Sequence, residues 1–145
     1  MNVTSNDAVT FDNVGQVSTL EVKSAQNDTT VNYDKAALAG TADNMTIVVK
    51  GTNGTDISID DDNTLNSSIL ETVTIDSQSV ANTIDSLDLA NVNTGALVVT
   101  GDKKLTISSA LDATVASVDA SGSTGGLTIS NDPGAANFTV VGSSA

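Results

Sequence analysis

The sequence contains no cysteine and no histidine. It therefore lacks thiol nucleophiles, imidazole bases and disulfides, together with the usual ligands of zinc and haem iron. Paired carboxylates can act as acid and base on sugars. Only three aromatic residues and no arginine are present, however, to line a sugar-binding cleft. We expect that the protein is not an enzyme.

Positive charge is also scarce. Five lysines face 18 acidic residues, and the formal net charge is -13. Binding to phosphate backbones and to anionic lipid depends on Lys and Arg, so this balance predicts no nucleic-acid partner. No apolar run approaches the length of about 20 residues that a membrane helix needs, so we expect no membrane insertion.

The abundant residues are Thr, Ser, Asn, Asp and Gly, which favour strands and turns over helices. Apolar residues make up 39% of the chain but aromatics only 2%, which predicts a thin core of Val, Ile, Leu and Ala. The 145 residues fit one domain. We expect an all-β domain over 1–145 with a loosely patterned start over 1–16, and a chain that is a segment of a longer protein.

Apolar residues recur in pairs separated by one position, which is the period-two pattern of half-buried strands. Turn residues lie between the pairs, for example Gly51-Thr52-Asn53-Gly54 and Gly125-Gly126. The pairs are Leu20/Val22, Val31/Tyr33, Ile47/Val49, Ile57/Ile59, Val73/Ile75, Leu87/Leu89, Leu97/Val99, Leu105/Ile107, Val118/Ala120, Leu127/Ile129 and Phe138/Val140.

One sequence pattern, here called the duplicated phrase, occurs twice. Ser86-Leu87-Asp88-Leu89 is followed by Thr94-Gly95-Ala96-Leu97, and Ser117-Val118-Asp119-Ala120 is followed by Thr124-Gly125-Gly126-Leu127. The offset from the first copy to the second covers three strand-like pairs. It predicts a parallel β-solenoid with about three strands per coil, wound right-handed as parallel crossovers usually are. A β-sandwich is the alternative, because short strands with regular turns also fit that fold.

The densest acidic cluster is a candidate calcium site, because Asp oxygens suit this ion and clustered carboxylates repel one another. Its Asp residues are Asp56, Asp60, Asp61 and Asp62, and Asp102 and Asp132 lie near later corners. The alternative is a solvated acidic loop. The spacing does not match an EF-hand, which needs Gly at its sixth and Glu at its twelfth position.

Two further sets are expected to point outward from the strands. Asp88 and Asp119 occupy equivalent places in the duplicated phrase and would form an acidic ladder on one face. Thr lies at the centre of five apolar triplets, at Thr46, Thr74, Thr106, Thr128 and Thr139. Regular outward Thr is used by ice-binding solenoids, but Thr is also the ordinary polar residue of exposed strand positions.

Part of the sequence resembles the repeat region of bacterial surface-layer proteins and RTX-type secreted adhesins. This part runs from Thr100-Gly101-Asp102-Lys103-Lys104-Leu105-Thr106-Ile107 to Thr124-Gly125-Gly126-Leu127-Thr128-Ile129. This resemblance implies a secreted protein of the bacterial cell surface with a calcium-dependent parallel β-solenoid that assembles into a lattice or projects from the cell. The calcium-binding RTX nonapeptide is absent, because Gly125-Gly126-Leu127 lacks its third Gly and its Asp. The calcium candidates therefore depend on local acidity alone.

Two functions remain open. The first is a structural segment that associates with itself or with neighbouring domains of the same protein. The second is a binding module that uses one solenoid face for a cell-surface glycan, a host surface or ice.

Overall fold

The computed structural model describes residues 1–24, 27–61, 69–130 and 138–143. Within these ranges the chain is all-β apart from two short 3-10 turns, Lys35–Leu38 and Ala90–Val92. The strands are β1 (Asn2–Val3), β2 (Val9–Val14), β3 (Leu20–Lys23), β4 (Thr29–Tyr33), β5 (Asn44–Lys50), β6 (Asn53–Asp61), β7 (Thr72–Gln78), β8 (Asn82–Asp88), β9 (Ala96–Gly101), β10 (Leu105–Ile107), β11 (Ser117–Ser123), β12 (Leu127–Ile129) and β13 (Thr139–Val141).

The strands alternate between two sheets. The odd-numbered strands form a seven-stranded sheet, here the odd sheet, and the even-numbered strands form a six-stranded sheet, here the even sheet. Each strand pairs in parallel with the strand two positions along the chain, for example β5 with β7 and β6 with β8. The prediction of a parallel β-solenoid is confirmed, with about five coils. The β-sandwich alternative, whose strands would be antiparallel, is wrong.

The predicted three strands per coil is corrected to two. Leu97 pairs with Val118, and Ile107 pairs with Ile129. One coil is therefore shorter than the offset between the two copies of the duplicated phrase. The offset between the copies therefore spans about one and a half coils, and the copies begin on opposite sheets. The cause is that strands of both sheets need the same sequence pattern, with alternating apolar residues followed by a corner. The pattern therefore repeats every half coil.

Coil length varies along the chain. Ile47 pairs with Ile75, and this spacing exceeds both the one from Asn2 to Glu21 near the start and the one from Leu97 to Val118 further on. Strand β6, the longest with 9 residues, contributes to the extra length. Strand pairing stays parallel and in register along the odd sheet from β3 to β9, so coil length varies without disturbing the stack.

The core consists of apolar ladders between the two sheets. Nine of the eleven predicted pairs, from Leu20/Val22 to Val118/Ala120, are at most 2% exposed. One ladder runs Leu20, Ile47, Ile75 and Val99 through successive coils. Leu127 and Ile129 are only partly buried, and Val140 in β13 is 56% exposed. Among the described residues, the buried core consists of Val, Leu, Ile, Ala and Met side chains together with Tyr33.

Several buried core residues escaped the pattern, and Ile84 in β8 is the clearest of them within a strand. It is fully buried and stacks on Ile107 of the next coil. Its neighbours two positions away are Asn82 and Ser86, so it forms no apolar pair in the sequence. Asn82 is itself buried, which shows that a polar residue can occupy an inward position where a corner needs it.

Candidate functional site

Three of the predicted calcium ligands lie on one strand, β6, and point to different sides of it. Asp56 and Asp60 face outward, whereas Asp61 faces inward, is 7% exposed and pairs in register with the buried Tyr33. A strand rises about 3.3 Å per residue, so Asp56 and Asp60 are about 13 Å apart along it. These three carboxylates therefore do not converge on one ion.

The remaining predicted ligands are separated from this strand. Asp102 lies at the corner between β9 and β10, where its carboxylate contacts Lys103 Nζ at 2.8 Å. The hydrogen bond from Lys103 lowers the pKa of Asp102. Asp62 and Asp132 lie outside the described residues. Across the described ranges, no group of three or more acidic side chains is placed to hold a metal ion, and calcium binding stays a prediction.

The structure brings together a different set of carboxylates on the outer surface of the even sheet. Asp28, Asp56 and Asp88 line a shallow groove, here called the acidic groove. Hydroxyl side chains complete its polar lining, at Thr30, Ser58 and Ser86. The coil register produces this meeting, because Asp56 pairs with Ser86 and Ser58 with Asp88. Sequence reasoning missed Asp28 and grouped Asp88 elsewhere, since it used the wrong coil length.

Carboxylates in and near this groove repel one another. Partial burial raises the pKa of Asp56, and the nearby carboxylates of Asp28 and Asp85 raise it further, against a backbone hydrogen bond from Ser86. Among the residues that the structure describes, no lysine lines the groove. The arrangement favours protons and other cations over anions, but it does not enclose them.

Charge is distributed unequally between the two sheets. The described strands of the even sheet contain no lysine. They carry six aspartates, of which Asp61 faces inward: Asp12, Asp56, Asp60, Asp61, Asp85 and Asp88. Among the described strands of the odd sheet, three acidic residues are accompanied by Lys23 and Lys50. The outer surface of the even sheet is thus the strongly negative side of the molecule.

The five predicted outward threonines do face outward, but they are divided between the sheets. Thr46 pairs with Thr74 in the odd sheet, and Thr139 pairs with Ser117 there. In the even sheet Thr106 pairs with Thr128. Thr83, which the triplet pattern did not include, extends that ladder on the other side of Thr106. The longest threonine ladder of the described strands therefore runs Thr83, Thr106, Thr128.

The acidic ladder expected from Asp88 and Asp119 does not exist. Asp88 pairs with Ser58 in the even sheet, whereas Asp119 pairs with Val98 in the odd sheet. A third acid of that region, Asp112, accepts a hydrogen bond from the backbone N–H of Leu89. Burial raises the pKa of Asp112, and the nearby charge of Asp88 adds to the rise. Through its hydrogen bond to Leu89, Asp112 connects the segment after β10 to the segment after β8.

No protein-family model, curated protein or solved structure matches this chain. Among the described residues, no helix is long and apolar enough to cross a membrane. The class that the structure defines is a two-sheet parallel β-solenoid with one acidic outer surface. The resemblance to surface-layer and RTX-type proteins depends on the sequence alone.

Proposed function

We propose that this chain is a structural segment of a bacterial surface-layer protein or adhesin, secreted to the cell surface, where it associates with itself or with neighbouring domains. The observation that carries this proposal is the unbroken stack of coils. Apolar ladders and parallel pairing continue from β3 to β11 along the odd sheet. Such a stack suits mechanical and architectural roles better than catalysis.

The direction of the hydrogen bonds supports this role. In a solenoid the hydrogen bonds between strands lie along the stacking axis, so each coil is tied to the next by a full set of backbone bonds. Each coil contacts only its neighbours, and further coils extend the stack without changing its design. Stretching it along the axis requires breaking several such bonds together.

The surface charge supports an extracellular scaffold as well. A net charge of -13 keeps copies soluble and resists unspecific association. The calcium dependence that the family resemblance implies stays a prediction, because the described residues bring no metal site together.

The test uses the longest natural form of the protein. Light scattering and negative-stain electron microscopy, with calcium and then with a chelator, should show ordered assemblies, and surface labelling of intact producing cells should reach the protein. If the protein stays monomeric in both conditions and resists surface labelling, the structural role is wrong.

A binding module is the second candidate, and one observation favours it. The ladder of Thr83, Thr106 and Thr128 lies beside the acidic groove on the same sheet, so one surface offers both hydroxyls and carboxylates. A glycan array probed with the monomeric chain should show hits that Thr106→Tyr abolishes if this surface binds sugars. Thermal hysteresis lost in the same variant would indicate ice instead. If neither sugar binding nor thermal hysteresis is seen, the binding module is wrong.

A further inference from the structure

We propose that the outer surface of the odd sheet is the docking surface for a second copy of this chain, packed face to face about a two-fold axis parallel to the stack. This inference rests on the self-associating role proposed above and names the surface that performs it. The surface, here called the odd face, consists of the outward residues of β5, β7 and β9: Asn44, Thr46, Val48, Lys50, Thr72, Thr74, Asp76, Gln78, Ala96, Val98 and Thr100.

The first argument is the low charge of the odd face. Lys50 and Asp76 are its only charged residues and have opposite signs, on a chain whose net charge is -13. The outer surface of the even sheet carries aspartates without lysine, so two such surfaces would repel each other. A second copy therefore meets the least repulsion at the odd face.

The second argument is the shape of the side chains. Thr74 lies between Thr46 and Val98 in one ladder, and Thr72 lies between Asn44 and Ala96 in the next. All are short or β-branched, so they form an even surface of methyl and hydroxyl groups. Sheets pack face to face about 10 Å apart through such surfaces.

The third argument is the charge along the two edges of the odd face. Lys50 ends β5 on one edge, where its Nζ lies 2.6 Å from a Glu21 carboxylate oxygen. On the opposite edge Glu71 precedes β7 and accepts a hydrogen bond from the backbone N–H of Asp43 at 2.6 Å. A two-fold axis along the stack reverses the strand direction of the second copy, so Lys50 of each copy lies over the Asp43 and Glu71 edge of the other.

The size of the surface sets the expected strength. The three strands at about 4.8 Å spacing, and about 20 Å along each strand, cover roughly 300 Å² per copy. Stable dimers bury about 800 Å² per partner. The contact should therefore be weak and reversible, and a two-fold contact uses the same surface on both copies.

Sedimentation equilibrium of the chain up to about 1 mM tests this proposal. We expect a reversible monomer–dimer equilibrium in the wild type. Val98→Asp, in the middle of β9 on the odd face, should remove the dimer. Thr106→Asp, at a matching central outward position of the even sheet, should leave it unchanged. Circular dichroism verifies that both variants keep the fold.

A charge exchange between the two edges of the odd face tests the orientation. Lys50→Glu should weaken the dimer at least tenfold, and adding Glu71→Lys in the same chain should restore it. The proposal is overturned if the wild type stays monomeric, if Val98→Asp and Thr106→Asp act alike, or if the exchange gives no recovery. In those cases calcium-dependent assembly of the longer protein would still test the structural role separately.

Discussion

At the scale of single residues, Asn82 holds one coil to the next through its side-chain hydrogen bonds. It is 1% exposed. Its side-chain oxygen accepts hydrogen bonds from Gly51 N at 2.6 Å and Thr52 N at 3.0 Å. Its amide nitrogen donates to Ser77 Oγ at 2.9 Å and Val80 O at 2.8 Å. The side chain thus joins the corner after β5 to the corner after β7, and its hydrogen-bonding capacity is fully used.

Replacing Asn82 with alanine should lower the free energy of unfolding by about 3 kcal/mol, because buried backbone groups at two corners lose their partner. Urea denaturation followed by circular dichroism measures the change. Asn44→Ala is the matched control, since Asn44 is exposed on an outer surface, and it should cost less than about 0.5 kcal/mol. Equal effects of the two substitutions would contradict the role of Asn82.

Individual buried residues could be predicted wherever two apolar side chains alternate. Leu97 and Val99 reveal their inward direction by their spacing, and both are fully buried. Asn82 could not be found in this way, because a polar residue at an inward position looks like an outward one. Its role depends on a corner of the preceding coil, and only the correct coil length identifies that corner.

At the scale of elements, the corners decide how closely coils stack. Gly125 precedes β12 and lies against the corner that precedes β10. A Cβ on Gly125 would lie 2.1 Å from the backbone carbonyl carbon of Lys103. The Thr-Gly-Gly corner lacks the calcium motif, and its glycine at position 125 has a structural role instead: it allows the two corners to approach closely.

Gly125→Ala should destabilise the fold by about 1 to 3 kcal/mol, because a backbone contact cannot yield as a flexible side chain can. Thermal unfolding measures this effect as a lower melting temperature. Gly95→Ala supplies the comparison, since nothing lies within 4 Å of a Cβ at Gly95, and its melting temperature should stay near that of the wild type. If Gly125→Ala were as stable as Gly95→Ala, the close stacking of these corners would be wrong.

Elements could be predicted better than their assembly. The period-two pattern located the strands because each buries one side, whichever sheet it joins. The number of strands per coil could not be read from that pattern, because both sheets present the same alternation. The candidate site suffered most, since Asp28, Asp56 and Asp88 meet only when the coils have their true lengths.

At the scale of the whole molecule, excess negative charge makes stability depend on pH. Burial, followed by neighbouring carboxylates, raises the pKa of Asp56 above 3.8. Burial likewise raises the pKa of Asp112. A proton therefore binds these groups more tightly in the folded chain than in the unfolded chain. Their favourable contribution is present below pH 3.8 and is lost as the pH rises through their folded pKa values.

The urea midpoint should therefore increase as the pH falls from neutrality through the folded pKa values of Asp56 and Asp112. Asp56→Asn should raise the midpoint at neutral pH, because it removes repulsion from Asp28 and Asp85, and it should reduce the pH dependence. Asp119→Asn is the control, since the pKa of Asp119 is lowered by hydrogen bonds from Ser121. A midpoint that decreases steadily on acidification, or an unchanged slope in Asp56→Asn, would contradict this account.

The central claim is that two strands make one coil, because the acidic surface, the odd face and the stack all follow from it. The chain has no cysteine, so pairs of introduced cysteines can carry spin labels at chosen positions. In a two-strand coil Thr106 and Thr128 are ladder neighbours, about 4.8 Å apart. Ser86 and Ser117 then lie on opposite sheets, with more than about 10 Å between their backbones.

Electron paramagnetic resonance of the doubly labelled chains is the most direct measurement. The account predicts strong dipolar broadening for labels at positions 106 and 128 and none for labels at positions 86 and 117. A three-strand coil would give the reverse, because its length would stack Ser86 on Ser117. Broadening in the second pair and not in the first would contradict the two-strand coil.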